Sequence, residues 1–294
     1  MRQHVLPTLG QIPIQKLSAH QIQTFLDAKR DSYPVGQGAR TVEFCYRHLS
    51  QMLKYAMLHR WVERNEAAQL KAPVARSKRR QPWTIAQLGH FLDTADMRGS
   101  GPVFLVEAAT GMRRGELLGL RWRDINWERR TALIAQTVGF DPRGHVIARA
   151  RTKTASSERT IDLDESCIET LRTQQARQAD QRRAMGDDWQ ERDLVFASGR
   201  GTPLSPRNLY REFRQVTELA GVPRISFHDL RHTHATLMIE QGEHIHVVSQ
   251  RLGHKRVSTT MDIYVKVMPG QQRAAADAFG ERLARARAGH VKQT

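Results

Sequence analysis

Apolar residues spaced three and four apart recur through most of this 294-residue chain, and that spacing limits its fold more than any other feature. A helix places residues with this spacing on one face, so we predict an α-helix from Thr41 to Trp61. Its apolar positions are Val42, Cys45, Leu49, Met52, Leu53, Ala56 and Met57. Reciprocal capping patterns, Ser18 with Gln21 and Thr84 with Gln87, predict the starts of two further helices.

The spacing changes between residues 131 and 163. Short segments rich in Val, Ile and Thr flank the turn sequence Asp141-Pro142-Arg143-Gly144, which is typical of strands joined by a turn. Helical patterns return from Asp164 to Met185 and again after Pro206, a residue suited to a first helical turn. We therefore predict a mainly α fold with a small antiparallel β-sheet.

A basic stretch divides the chain. The sequence KAPVARSKRRQP has no apolar periodicity, contains proline at both ends and is rich in Lys and Arg, which indicates an exposed linker. We expect two domains: a helical domain at residues 1–75 and a mixed α+β domain at 84–294, with a basic linker at 76–83 between them. The second domain should end in an Ala-rich, charged helix.

The net charge favours a polyanionic partner. Lys and Arg number 46 against 30 Asp and Glu, which gives +16 at pH 7. This charge is typical of nucleic-acid binding, although a generally basic protein remains an alternative. No apolar run approaches the ~20 residues of a membrane span, and the start lacks a signal-peptide pattern. Cys45 and Cys167 are expected to be buried thiols, so we expect a cytoplasmic protein with no membrane partner.

The stretch from Phe227 to Tyr264 carries the residues best suited to chemistry. His228 and Arg231 are three apart, so a helix would point both at one target, for which we propose a DNA phosphate. His254 follows a glycine, and Tyr264 lies ten residues later. Attack on a phosphodiester needs a nucleophile, cations at the non-bridging oxygens and a proton for the leaving oxygen.

An earlier segment, TGMRRGELLGL, could supply further charge. Arg113 and Glu116 are expected on one side of a helix after Gly111, where Glu116 or a ligand anion would offset the burial of Arg113. Arg114 should point elsewhere, as a surface residue. Lys153 lies in the polar segment RTKTASSERT, where a lysine is usually solvated.

Taken together, TGMRRGELLGL, RTKT, HDLRHTHAT, LGH and TTMDIY resemble, in order, the motifs of the tyrosine recombinases of the phage integrase type. The resemblance implies that Arg113 and Arg231 hold the phosphate and that Tyr264 attacks it to form a 3′-phosphotyrosine. Lys153 would be the general acid at the 5′ oxygen. His228 would assist proton transfer at the tyrosine, His254 would hydrogen-bond the phosphate, and Glu116 would orient an arginine or histidine.

The same resemblance implies the assembly. Residues 1–75 are similar to the later part of the family's core DNA-binding domain, so we expect that domain to be shortened at its N-terminus. A homotetramer would exchange strands between two double-stranded DNA sites, with DNA-bending accessory proteins as further partners, for integration or excision of a mobile element. No cofactor is expected.

Three alternatives remain open. The chain could be a remnant that binds DNA without recombining it, or an enzyme that nicks and reseals DNA without exchange. A zinc site is a further alternative, because His228 and His232 have i, i+4 spacing. The signature HExxH is absent and Arg231 lies between the two histidines, so we expect no metal.

Overall fold

The structure, a computed structural model, divides the chain into two units, Met1–Arg79 and Arg80–Thr294. The residues that it describes are 1–74, 81–150, 159–254, 257–258, 260–261, 276–277 and 279–282. Helices predominate in both units, and every strand among these residues lies in the second unit. The predicted fold class, mainly α with a small amount of antiparallel β structure, is confirmed.

Helices joined by turns make up unit 1 in its described residues. Its α-helices are α1 (Leu6–Leu9), α2 (Ala19–Asp31) and α3 (Ala39–Leu58), and short 3-10 turns cover Ile14–Lys16 and Glu66–Gln69. The reciprocal cap predicted at the start of α2 is present. Gln21 N donates to Ser18 Oγ at 3.3 Å, and Ser18 N donates to Gln21 Oε1 at 2.9 Å.

The third helix differs from its prediction at both ends. It begins at Ala39 and ends at Leu58, whereas the apolar pattern suggested Thr41 to Trp61. Arg60 adopts a left-handed φ of 58°, and Trp61 N donates to Ala56 O at 2.9 Å, which closes the helix. Trp61 therefore belongs to the turn after the helix, since hydrophobic periodicity alone does not mark where a helix stops.

Unit 2 combines helices with short strands. Among the described residues from 81 to 254, its α-helices are α4 (Ile85–Met97), α5 (Gly101–Thr110), α6 (Arg114–Leu118), α7 (Glu165–Met185), α8 (Pro206–Leu219), α9 (Phe227–Glu240) and α10 (Ile245–Leu252). Its strands are β1 (Ile125–Asn126), β2 (Thr131–Leu133), β3 (Gln136–Phe140), β4 (Val146–Ala150) and β5 (Thr160–Asp162). The cap predicted from Thr84 and Gln87 is present at the start of α4.

The strands form two small antiparallel sheets, where the sequence analysis expected one. Strands β1, β2 and β5 pair in that order, with Ala132 opposite Ile161. Strands β3 and β4 form a separate hairpin. The predicted turn joins them, because Asp141 Oδ1 accepts from the backbone N–H groups of Arg143 and His145.

The core of unit 2 is built around aromatic rings. Phe91, Phe104 and Phe213 contact one another with ring centroids 5.1–6.0 Å apart. Trp83 packs against this group, donates from Nε1 to Pro223 O at 2.7 Å and from its backbone N to Thr233 Oγ1 at 3.1 Å. The chain is thus fixed to α9 two residues before α4 begins.

The β3–β4 hairpin lies directly on α6, and two glycines make this possible. A Cβ at Gly119 would be 2.8 Å from Gln136 O, and a Cβ at Gly115 would be 2.9 Å from Val138 O. Only a residue without a side chain permits so close an approach of two backbones. Separately, none of the helices in the described residues is both long and apolar enough to cross a bilayer.

Candidate active site

Helix α9 places two of the predicted residues at its N-terminal end. Ser226 precedes the helix, and its backbone N donates to Asp229 Oδ2 at 2.6 Å, which fixes the first turn. His228 is exposed in this turn, and Arg231 follows one turn later. The i, i+3 spacing therefore places both side chains on the same end of the helix, as the sequence predicted.

The Arg231 side chain is buried in the core of unit 2, with 2% of its surface exposed. Its Nη1 donates to Gly111 O at 2.6 Å and its Nη2 donates to Leu252 O. Burial and the nearby Arg113 lower the pKa of Arg231 to about 10, so the guanidinium is still charged at pH 7. Both hydrogen bonds described for this cation go to neutral carbonyls, so its charge can still attract an anion.

Arg113 lies beside Arg231, but not on the helix where the sequence analysis expected it. Helix α6 covers only Arg114–Leu118, and Arg113 is the extended residue before it. Its backbone N donates to Glu116 Oε2 at 3.0 Å, and its Nη1 donates to Glu116 Oε1 at 2.8 Å. The prediction that Arg113 and Glu116 share a helical face was wrong, because Arg113 is extended and precedes α6. The side chains of Arg113 and Glu116 nevertheless bond to each other. Arg114 is exposed, as predicted.

Glu116 is the buried carboxylate of the site, with 1% of its side chain exposed. Besides Arg113 it accepts from Arg159 Nη2 at 2.7 Å. Desolvation acts to raise its pKa, but the hydrogen bonds and charges of Arg159 and Arg113 prevail and lower the pKa of Glu116 to about 2. Glu116 is therefore a permanent anion among arginines, and it holds Arg113 in one orientation.

The carbonyl end of α10 is where the arginines meet. Three consecutive carbonyl groups each accept from a different guanidinium: Arg251 O from Arg159 Nε at 3.0 Å, Leu252 O from Arg231, and Gly253 O from Arg113 Nη2 at 3.0 Å. The last carbonyls of a helix lack partners within the helix and carry the negative end of its dipole. The end of α10 thus holds three guanidinium groups at separate carbonyl oxygens, whose partial negative charge offsets the repulsion between the cations.

His254 follows this helix end directly. Its Nδ1 hydrogen-bonds with Thr260 Oγ1 at 2.8 Å. Desolvation, followed by the charges of Arg231 and Arg113, lowers the pKa of His254 to about 4. Its ring is neutral at pH 7, so it can donate a hydrogen bond to an anion without adding charge.

His228 and His232 form the outer edge of the cluster. Their rings meet edge to face with centroids 5.0 Å apart. Desolvation, then the charges of His232 and Arg231, holds the pKa of His228 below its ordinary value. The low pKa favours the neutral form of His228 at pH 7, which can accept a proton.

Lys153 and Tyr264 lie outside the described residues. Their assigned roles as general acid and nucleophile remain predictions. The five predicted residues that the structure does describe, Arg113, Glu116, His228, Arg231 and His254, come together in one cluster.

Sequence reasoning missed Arg159, Glu107 and the contact between the half-buried Arg251 and the buried His234. Arg251 Nε donates to His234 Nε2 at 3.3 Å, while His234 Nδ1 hydrogen-bonds with Ala108 O at 2.8 Å. His234 is therefore a packing and hydrogen-bonding residue of α9. Glu107 is 1% exposed, and its Oε2 has no hydrogen-bond partner within the described residues. Nothing local in the sequence distinguishes Arg159, His234 and Arg251, because the partners of their side chains lie 17 to 142 positions away.

A metal site finds no support in this cluster. Within the described residues, no three His, Cys, Asp or Glu side chains come together as metal ligands would. The histidines of the site face arginines, and cations of the protein repel a bound cation.

Comparison with known proteins identifies the family of this chain. Residues 81–270 match the model of the phage integrase family, so the chain belongs to that family. It is 33% identical over 189 residues to a XerC-like tyrosine recombinase of Caldanaerobacter subterraneus, covering 61% of this chain and 48% of the relative. It is 29% identical over 280 residues to an integrase of Streptomyces ambofaciens, covering 90% of this chain and 69% of the relative. The chain thus spans about half the length of the first of these relatives.

Solved structures extend the likeness in fold to nearly the whole chain. The integrase of transposon Tn1549, in complex with a circular intermediate DNA, matches with a TM-score of 0.75 at 16% identity, covering 96% of this chain and 92% of that one. A λ integrase dimer bound to a core site matches with a TM-score of 0.60 at 20% identity, covering 90% and 85%. At these identities the comparison defines the fold and not the function.

Proposed function

We propose that this protein is a site-specific DNA recombinase of the integrase type, which cleaves and rejoins DNA through a 3′-phosphotyrosine for integration or excision of a mobile element. One observation carries the proposal. Arg113 and Arg231, from different elements, are held side by side on neighbouring carbonyls of α10, next to the neutral His254. Family membership supplies the substrate class.

The arginine pair suits a phosphate undergoing substitution. Each guanidinium uses some of its five N–H donors on the protein and keeps others for a ligand. Because Glu116 and the carbonyl groups fix both side chains before DNA binds, little reorganisation is needed when negative charge develops on the non-bridging oxygens. His254 would add a neutral donor to the same oxygens.

The reaction would proceed as a transesterification. The Tyr264 oxygen forms a bond to phosphorus as the bond from phosphorus to the 5′ oxygen breaks. The phenolic proton leaves through His228, and Lys153 gives a proton to the 5′ oxygen. The phosphotyrosine retains the phosphodiester's free energy, so the reverse attack by a 5′ hydroxyl rejoins a strand without ATP.

The partners follow from that reaction. Double-stranded DNA carrying an attachment site is the substrate, and a homotetramer would hold two sites for sequential exchange. The dimers and tetramers of λ integrase on DNA are solved examples of such assemblies. DNA-bending accessory proteins would complete the complex, and access to the chromosome implies a cytoplasmic location.

A suicide substrate tests the proposal. Duplexes from the DNA that flanks the gene are nicked beside each candidate cleavage position, so that cleavage releases a short 5′ fragment and traps the enzyme. We expect a covalent protein–DNA adduct with the wild type and none with Tyr264→Phe. A wild type that binds these duplexes and yields no adduct on any of them would instead identify a binding-only remnant. Adduct formation without exchange between two sites would indicate nicking and resealing.

A further inference from the structure

Arg159 joins three parts of the site. It is the first described residue after the segment that carries Lys153, and it directly precedes β5. Its Nη2 donates to the buried Glu116 at 2.7 Å, and its Nε donates to Arg251 O at the end of α10 at 3.0 Å. Its side chain is 12% exposed.

The backbone of Gly253 leaves space for Arg159. A Cβ at Gly253 would lie 2.8 Å from Cδ and 2.9 Å from Nε of Arg159. Gly253 also has a left-handed φ of 63°, which disfavours any other residue. A side chain at position 253 would clash with Arg159, so the glycine allows the Arg159 side chain to lie against the end of α10.

We propose that Arg159 is a positioning residue for DNA cleavage, which acts through Glu116 to orient Arg113 and ties the start of β5 to the end of α10. This inference rests on the proposed recombinase function. Glu116 has two carboxylate oxygens, one of which bonds the side chain of Arg113 and the other of which is shared by Arg113 N and Arg159. With Arg159 removed, the buried carboxylate loses one N–H donor and a neighbouring positive charge, and Arg113 loses its fixed counter-ion geometry.

Direct contact of Arg159 with the phosphate is the competing explanation. The combination of two features argues against it. Arg159 is nearly buried and is also bonded to a carboxylate of the protein. Arg113 shares that carboxylate but has 39% of its side chain exposed, and the buried Arg231 is held by carbonyl groups alone among the bonds described.

The test measures single-turnover adduct formation on the suicide substrate at increasing DNA concentration. For Arg159→Ala we expect the rate at saturating DNA to fall about 10²-fold, the loss typical of a misplaced reacting group, with half-saturation within threefold of the wild type. Arg159→Lys should recover only part of the rate, because an ammonium cannot reproduce the fork. Arg182→Ala, which breaks the exposed ion pair with Glu191, is the matched control and should react like the wild type.

The pH profile separates positioning from a general loss of structure. Among the described residues, the charged groups that interact with Glu116 include Arg113, Arg159, Arg231 and Glu107. Since burial raises the pKa of Glu116 and Arg159 lowers it, removal of Arg159 should raise that pKa. The rate of Arg159→Ala should then decline on acidification at a higher pH than the wild-type rate, and adding Glu116→Gln should abolish this shift.

Each other outcome overturns the inference. If Arg159→Ala reacts at the wild-type rate, Arg159 has no positioning role. If Arg159→Ala is slower but its rate declines on acidification at the same pH as the wild-type rate, Arg159 has only a structural role. If Arg159→Ala needs more DNA for half-saturation but reaches the wild-type maximal rate, Arg159 contacts DNA instead. If Arg159→Ala does not fold, Arg159→Lys carries the same comparison. Absence of adduct in the wild type would contradict the proposed function instead, so the two failures are distinguishable.

Discussion

The two units of the chain differ in what their interiors contain. In unit 1 the buried residues are hydrophobic, including Ile22, Leu49 and Leu53. Every fully buried polar or charged side chain among the described residues lies in unit 2, and Arg231, Glu116 and Glu107 are within its interior. Burial of such groups costs free energy that packing of the same volume by apolar residues would not.

The difference shows that different interactions determine the internal packing of each unit. Unit 1 follows the general rule that an amphipathic helix buries its apolar face. Unit 2 contains a destabilising polar cluster, which is offset by hydrogen bonds to residues of α6, α9 and α10. Such an arrangement is typical of a region selected for chemistry as well as for folding.

The largest expected effect is on the polar interior. Arg231→Ala should reduce adduct formation by about 10³-fold, since a donor to the developing charge is lost, while DNA affinity changes only a few-fold because many phosphate contacts share it. Single-turnover rates and filter binding measure the two quantities. The control Arg114→Ala removes an exposed neighbouring charge. Parallel collapse of affinity and cleavage would show that Arg231 serves binding and not the transition state.

The apolar interior should respond in stability alone. Leu49→Ala removes a fully buried side chain of α3 and should lower the free energy of unfolding of unit 1 by about 2–5 kcal/mol. Hydrogen exchange on the full chain resolves the two units separately. Met52→Ala on the same helix, where the side chain is 37% exposed, should cost less than about 1 kcal/mol. Equal losses in both variants would contradict the assignment of Leu49 to the core.

Acidification should distinguish the two interiors. His234 and His254 have pKa values lowered to about 4, so they stay neutral in the folded state while the unfolded chain takes up protons below pH 6.5. Unit 2 should therefore lose stability as the pH falls from 6.5 towards 4. The pKa of Glu116 is lowered from 4.5 to about 2, so the free energy of unfolding of unit 2 should fall by a further amount, about 3 kcal/mol, as the pH falls from 4.5 towards 2.

Unit 1 has no fully buried histidine or carboxylate within its described residues, so its hydrogen-exchange protection should depend less on pH over the same range. His234→Gln should flatten the upper part of the unit 2 profile, and Glu116→Gln the lower part. A steep acid transition in unit 1 would show that its stability depends on charges after all.

The smallest expected effect concerns the contact between the β3–β4 hairpin and α6. Gly119→Ala places a methyl group 2.8 Å from Gln136 O, which should destabilise unit 2 by about 1–3 kcal/mol. The matched control is Gly139→Ala on β3, where a Cβ would meet nothing within 4 Å. Thermal unfolding of both variants measures the difference. If the two glycines respond alike, the hairpin can move away from α6 without cost.

Local features of the fold could be predicted from the sequence, because local signals determine them. The two capping boxes and the Asp141 turn each depend on residues within four positions of one another, and all are present. The end of α3 was misplaced because apolar spacing continues through Trp61 although Arg60 turns the backbone. Helix α6 was overextended because Arg113 has the spacing of a helical residue but an extended conformation.

The arrangement of the site was only partly predictable. The family motifs contain Arg113, Glu116, His228, Arg231 and His254, and the structure brings these five together. Their support was not visible, because Arg159 bonds to Glu116 from 43 positions away and Arg113 bonds to Gly253 from 140 positions away. Such contacts depend on how helix ends meet in space, which no sequence window contains. The positions of Lys153 and Tyr264 stay predictions.

The anchoring of Trp83 has a mechanical consequence. Its backbone N–H is bonded to the hydroxyl of Thr233, two positions beyond Arg231 on the same rod of helix, and its indole is pinned to Pro223 just ahead of that rod. A force that acts on the chain before residue 83 would therefore be transmitted directly to α9, which carries His228 and Arg231.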